Sequence, residues 1–216
     1  MKDWYILYKN DIENNNGIKE YYNKKICNRK KLINKIIKYK KEGKILEAGC
    51  GTGVLSVKLS DIGYDVIAID NDERMLELLN KINKIITKKR VQTKKIDIFN
   101  LKDKFKEEKI DIIFSVGVLE HFKDKEIINL IKTQISISNY VFIAIPTKYF
   151  NKNEALYGNE RFLSYKKWRS LIKESGGTII EEFSCQNQSF FGIIKNIRKY
   201  FRPAPIRVFV VKGDRK

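Results

Sequence analysis

Three glycines and one acid stand at a spacing that can do chemistry. The run Ile45-Leu46-Glu47-Ala48-Gly49-Cys50-Gly51-Thr52-Gly53 sets Gly49, Gly51 and Gly53 at alternate positions between an apolar strand-like stretch and a helical pattern. Glycines there let the backbone turn sharply and approach a ligand, and the helix N-terminus that follows offers unpaired N–H groups. Asp70 comes seventeen residues after Gly53, at the end of the next apolar run. An acid in that place can accept hydrogen bonds from both hydroxyls of a ribose. Loop and acid together specify a nucleoside-containing ligand. A dinucleotide loop needs Gly or Ala at the last position of G-x-G-x-x-G. Counting from Gly49 that position is Val54, and from Gly51 it is Ser56, so the dinucleotide register fits poorly.

Other reactive side chains are few. His121 is the sole histidine and follows the apolar run Ile110–Val116. It can deprotonate a hydroxyl or position a substrate, or it can simply hold its loop by packing. Glu120 beside it reads better as a loop-orienting or ligand-contacting residue than as a base. Tyr149, Phe150, Tyr157 and Arg161, in the polar and aromatic stretch 147–163, are candidates to line a substrate pocket, or else belong to a surface insertion. Trp4, Tyr5, Tyr8, Tyr21 and Tyr22 are either a lid or core packing for the first helix. Cys27, Cys50 and Cys185 show no metal-ligand spacing and no disulfide framework, which suggests a reducing compartment. One histidine and no ligand cluster give a metal site no support.

Elements that alternate along the chain must position these groups. Residues 26–42 carry Ile26, Ile33, Ile36 and Ile37 at helical spacing and end at Gly43. Strands are expected at Lys44–Ala48, Asp65–Ile69, Val91–Ile98, Ile110–Val116 and Tyr140–Ile145. Helices are expected at 54–62, 72–86, 123–136 and 164–175. Thr178–Phe183 and Ile206–Val211 complete the pattern as a hairpin-like pair joined by a long excursion. Strands that are apolar throughout, separated by helices, mean a parallel sheet covered on both faces.

The chain has 216 residues, 43% of them hydrophobic and 32% charged. That length suits one domain, with 1–42 as an N-terminal lid or helical segment ahead of 43–216. Disordered and collagen-like classes are excluded by the recurring aliphatic runs and the low Gly and Pro content. The formal net charge is +18. It reads as a field for an anionic partner or as a lysine-rich composition spread from Lys2 to Lys216. No apolar core of a signal peptide opens the chain and no stretch could span a membrane, so a cytoplasmic protein is expected. The stretch 189–202 interleaves Phe190, Phe191, Ile194, Ile197 and Phe201 with Lys195, Arg198, Lys199 and Arg202. It reads as a basic amphipathic helix, either for an anionic membrane surface or for covering the sheet edge.

The loop at 45–53 resembles the first motif of class I S-adenosylmethionine-dependent methyltransferases, E/D-x-G-x-G-x-G. Ile69-Asp70-Asn71-Asp72-Glu73-Arg74-Met75-Leu76 is similar to that family's second motif, and Asp97-Ile98 falls where the family keeps an acid against the adenine amino group. Residues 111–122, with the segment Val118-Leu119-Glu120-His121-Phe122, resemble the small-molecule branch related to ubiquinone and menaquinone biosynthesis enzymes. The resemblance implies a Rossmann-like three-layer α/β sandwich whose seven-stranded sheet is mostly parallel with the last strand antiparallel. It implies S-adenosyl-L-methionine as cofactor, bound by Glu47, Ala48, Gly49, Cys50, Gly51, Gly53, Asp70, Asn71, Met75, Asp97, Ile98, Ser115, Val116 and Gly117. Methyl transfer to O, N or C of a small-molecule acceptor, including a lipid-linked one, is the activity it implies, with His121 as the catalytic candidate. No Asn/Asp-Pro-Pro-Tyr tetrad follows the fourth strand, which argues against methylation of exocyclic base amines or glutamine. An RNA-directed methyltransferase and a non-catalytic binding protein of the same fold are the alternatives.

Overall fold

A computed structural model describes residues 3–147, 159–185 and 206–213. Two helices open the chain, α1 (Trp4–Asn14) and α2 (Ile18–Tyr39). Alternation follows: β1 (Lys44–Ala48), α3 (Val54–Asp61), β2 (Asp65–Asp70), α4 (Glu73–Ile86) and β3 (Gln92–Lys95). After a 3-10 turn come α5 (Leu101–Phe105), β4 (Ile110–Val116), α6 (Asp124–Ile137) and β5 (Ser138–Pro146). The chain closes with α7 (Tyr165–Glu174), β6 (Thr178–Ser184) and β7 (Ile206–Lys212).

The strands form one sheet in the order β3-β2-β1-β4-β5-β7-β6. The pairs from β3 to β5 are parallel, and β7 runs antiparallel to both β5 and β6. This is the doubly wound arrangement the apolar runs require. Both faces of the central strands are covered, so successive residues go alternately to two cores. Ile45, Ile112, Phe114 and Phe142 pack with α2, α3 and α4. Val141, Ile143 and Phe209 pack with Leu130, Ile131, Trp168 and Leu171 of α6 and α7. Leu46, Ile67 and Ile113 meet Leu101 and Phe105 around α5.

The N-terminus departs most from expectation. The helix expected over 26–42 begins at Ile18 and ends at Tyr39, and α1 precedes it. Ile18, Tyr21 and Tyr22 continue the apolar spacing of Ile26, Ile33 and Ile36 backwards, and Tyr21 is 1% exposed. Tyr21 therefore belongs to the core as well as to the site below, and Tyr22 to the core. The strand expected over Val91–Ile98 is only Gln92–Lys95 because Asp97 caps the 3-10 turn that follows. The helix α5 was not expected at all. Among the described residues no helix is long and apolar enough to cross a membrane. The basic stretch 189–202 lies outside the described residues.

Candidate functional site

The sheet order reverses direction at β1, whose neighbours are β2 and β4, so the loops after β1 and β4 splay apart and leave a crevice at the strand ends. A cavity of about 710 Å³ lies there. That volume is within the range of ligand pockets, roughly 300–1,000 Å³. Its walls come from the loop after β1, the end of β2, the start of α4, the turn after β3, the loop after β4 and the two N-terminal helices.

The glycine loop is held by its neighbour strand. Cys50 donates its backbone N–H to Ile69 O at 2.9 Å, and Gly51 donates to Asp70 Oδ2 at 2.9 Å. Asp70 Oδ1 accepts from the Asp72 backbone at 3.1 Å. Burial raises the Asp70 carboxyl above its ordinary value, and the backbone donors oppose that shift. Gly51 has φ +52 and faces the Tyr8 ring, which an added Cβ would meet at 3.5 Å. Gly53 has φ +60, and a Cβ there would overlap the Leu79 side chain. Gly51 thus borders the cavity, while Gly53 lets α3 and α4 close on each other.

Glu47 is 5% exposed. Its Oε2 accepts from Ser56 Oγ at 2.5 Å and from the Ser56 backbone at 3.3 Å. Burial pushes its carboxyl up to about 7, against those donors and the charge of Arg29. Arg29 lines the same wall, and its guanidinium donates to Lys25 O at 3.4 Å. Lys25 is paired with Asp11 at 2.7 Å. Tyr21 and Thr52 share a hydroxyl contact at 3.1 Å that fastens α2 to the glycine loop. Burial raises the Cys50 thiol well above the usual value.

Of the cofactor residues expected from sequence, Glu47, Gly49, Cys50, Gly51, Asp70, Asn71, Met75, Asp97, Ile98, Val116 and Gly117 stand together in the cavity wall. Ala48, Gly53 and Ser115 do not: Ala48 is fully buried in the sheet and Ser115 is 1% exposed. Asp97 also caps the turn behind it, with Oδ1 accepting from Phe99 N at 2.9 Å. His121 lies in the wall, with Nδ1 2.7 Å from Asn159 Oδ1 and its ring edge-on to Trp4 at 5.4 Å. Glu120 is buried at 2% exposure, which pushes its carboxyl up to about 8.

Arg161 is not in the wall. Its guanidinium donates to Phe122 O at 2.6 Å and to Asp124 Oδ1 at 2.5 Å, so it clips two segments together rather than facing a substrate. Tyr149, Phe150 and Tyr157 lie outside the described residues. Sequence reasoning missed Arg29, Thr52, Arg74, Phe99 and Asn159 as lining residues. The run of aromatics at Trp4, Tyr8 and Tyr21 was the one available signal for the N-terminal wall.

Residues 45–137 match the family model of a methyltransferase domain. The ubiquinone biosynthesis O-methyltransferase of Pelagibacter ubique (strain HTCC1062) is 28% identical over 123 residues, which is 50% of this chain and 50% of that protein. The chain therefore spans about half the length of this curated relative. Among solved structures, the PH0226 protein of Pyrococcus horikoshii OT3 has a TM-score of 0.67 at 17% identity, over 90% of this chain and 92% of the other. Magnesium protoporphyrin IX methyltransferase from Synechocystis PCC 6803 with bound SAH gives 0.64 at 16% identity, over 87% and 84%. An S-adenosylmethionine-dependent methyltransferase from Clostridium acetobutylicum ATCC 824 gives 0.61 at 16%, over 86% and 92%. The fold is shared with these methyltransferase structures, and residues 45–137 carry the match to the methyltransferase-domain model.

Proposed function

We propose that this chain binds S-adenosylmethionine in the cavity and transfers its methyl group to a small-molecule acceptor. The carrying observation is the Asp70 carboxylate, seated at the end of β2 and fixed to the glycine loop through Gly51 N–H. Acid and loop are one rigid unit at the point where the sheet order reverses, which suits a nucleoside. The residues present fit the cofactor. Asp70 and Asn71 would hold the ribose, with Met75, Asp97 and Ile98 around the adenine. Gly49, Gly51 and Glu47 would hold the methionine portion, with Val116 and Gly117 forming the opposite wall. Arg29 offers a guanidinium that no carboxylate hydrogen-bonds among the described residues, and it suits the carboxylate of that portion.

When bound, S-adenosylmethionine supplies a methyl group carried on a sulfonium leaving group. The chain's part is to orient an acceptor toward that methyl and to keep water out, which can supply on the order of 7–11 kcal/mol. His121 lines the cavity wall, which supports a role in taking the proton of an acceptor that carries one. The likeness to an O-methyltransferase supports a hydroxyl acceptor.

Isothermal titration with S-adenosylmethionine and with S-adenosylhomocysteine, against NAD as control, tests the reading. Binding of both sulfur nucleosides and not of NAD is expected. Binding of NAD alone, or equal binding by an Asp70→Ala variant, would refute it.

A further inference from the structure

A hydroxyl acceptor must lose its proton, and the protein contains one imidazole. His121 sits in the 3-10 turn Leu119–His121 after β4, in the cavity wall. Its Nδ1 lies 2.7 Å from Asn159 Oδ1. An amide oxygen only accepts hydrogen bonds, so Nδ1 must carry the proton and the ring's lone pair falls to Nε2.

The position of Asn159 is built into the fold. Two residues further on, Arg161 donates its backbone N–H to Glu120 O at 2.9 Å. Its guanidinium reaches Phe122 O at 2.6 Å and Asp124 Oδ1 at 2.5 Å. The returning chain is thus pinned to residues on both sides of His121. Trp4 of α1 packs edge-on against the imidazole at 5.4 Å and limits its rotation.

We propose that Asn159 is a positioning residue that holds His121 as the Nδ1–H tautomer, so that Nε2 takes the proton of an acceptor hydroxyl. In that step the O–H bond breaks, its electron pair stays on oxygen, and the proton bonds to Nε2. The imidazolium formed later returns the proton to water. A neutral amide orients the ring without adding a charge beside it. Which acceptor is used rests on the methyltransferase reading; the tautomer is a property of the chain alone.

Because His121 is the only histidine, long-range 1H–15N correlation on tag-free, 15N-labelled protein shows one imidazole. The spectrum is recorded without cofactor or acceptor, at an alkaline pH where imidazoles are neutral. Wild-type protein is expected to show a protonated Nδ1 and an unprotonated Nε2. Asn159→Ala should move the Nδ1 resonance to the unprotonated position, and Asn159→Asp, which still accepts from Nδ1–H, should restore it. A wild-type spectrum dominated by Nε2–H would overturn the proposal, and so would an unchanged tautomer in Asn159→Ala. The wild-type spectrum decides even if a variant fails to fold. Failure of cofactor binding would sink the methyltransferase reading and leave this measurement standing, so the two outcomes are distinguishable.

Discussion

The Asp70 carboxylate accepts the Gly51 N–H at 2.9 Å, although nineteen positions separate the two residues. The parallel register of β1 and β2, which pairs Ala48 with Ile69, brings them together. Asp70 therefore has two tasks: it holds the glycine loop and faces the cavity. Removing the carboxylate should cost the charge-assisted hydrogen bonds to a ribose, about 1.5–3 kcal/mol each. Asp70→Ala is expected to weaken S-adenosylhomocysteine binding by roughly 100-fold or more, at about 1.4 kcal/mol per tenfold change. Titration calorimetry on the variant checks it, with circular dichroism confirming that the sheet is intact.

Gly53 behaves differently from Gly51, although both belong to one motif. A Cβ at Gly53 meets Leu79 of α4 and must adopt a left-handed φ of +60. Overpacking and the left-handed penalty together predict a loss of about 2–4 kcal/mol for Gly53→Ala. The loss should appear in denaturant midpoints. Affinity for S-adenosylhomocysteine, measured on the folded fraction, should change far less than in Asp70→Ala.

These two glycines show how much the sequence reveals. The strand-loop-helix form of residues 45–54 and the acid at the end of β2 are local patterns with a fixed spacing, and they are legible. The apolar runs of β1, β2, β4 and β5 are legible for a related reason: burial on both faces leaves no alternation to misread. Which glycine touches the cavity depends on Leu79 and Tyr8, which arrive from distant segments. Arg161 looked like a substrate residue because an arginine in an aromatic loop is ambiguous until Asp124 is found beside it. Arg29 was hidden among the lysines of α2, where only the helix's packing on α3 turns Lys25 and Arg29 toward the cavity.

Two buried acids make stability depend on pH. Burial pushes Glu47 up to about 7 and Glu120 up to about 8. Unfolded glutamate titrates near 4.3. Folded protein thus binds more protons than unfolded protein between these values, and stability falls as pH rises from about 4.5 to 8. The surface acids Asp124, Glu108 and Glu182 are shifted down instead, so their contribution is lost only at lower pH. Glu120→Gln, which cannot ionise, should flatten the slope between pH 5 and 8 and gain about 1–3 kcal/mol at pH 8 relative to wild type. Urea denaturation at both pH values checks it; parallel slopes for variant and wild type would mean that Glu120 stays ionised.

Arg74 fastens the N-terminal helix to the cavity. Its guanidinium contacts Asp3 at 2.7 and 3.1 Å and Asp72 at 3.0 and 2.6 Å, and it lies 5.3 Å from the Tyr5 ring centroid. Asp3 caps α1, and Asp72 caps α4 directly after the Asp70–Asn71 end of β2. Of α1 only Ile12 is buried, and the turn that follows the helix contains Asn16 and Gly17, both with left-handed φ. A helix with so little core contact, turning on such residues, opens more readily than its neighbours. Cutting the pair should therefore loosen α1 before anything else. Asp3→Asn, which spares the α4 cap, is expected to speed amide exchange across Trp4–Asn14 and release of S-adenosylhomocysteine a few-fold, with exchange in α4 unchanged. High salt screens exposed ion pairs, so the wild-type rates should approach those of the variant as ionic strength rises. Equal release rates at low salt would mean that Ile12 and Tyr8 alone keep α1 over the cavity.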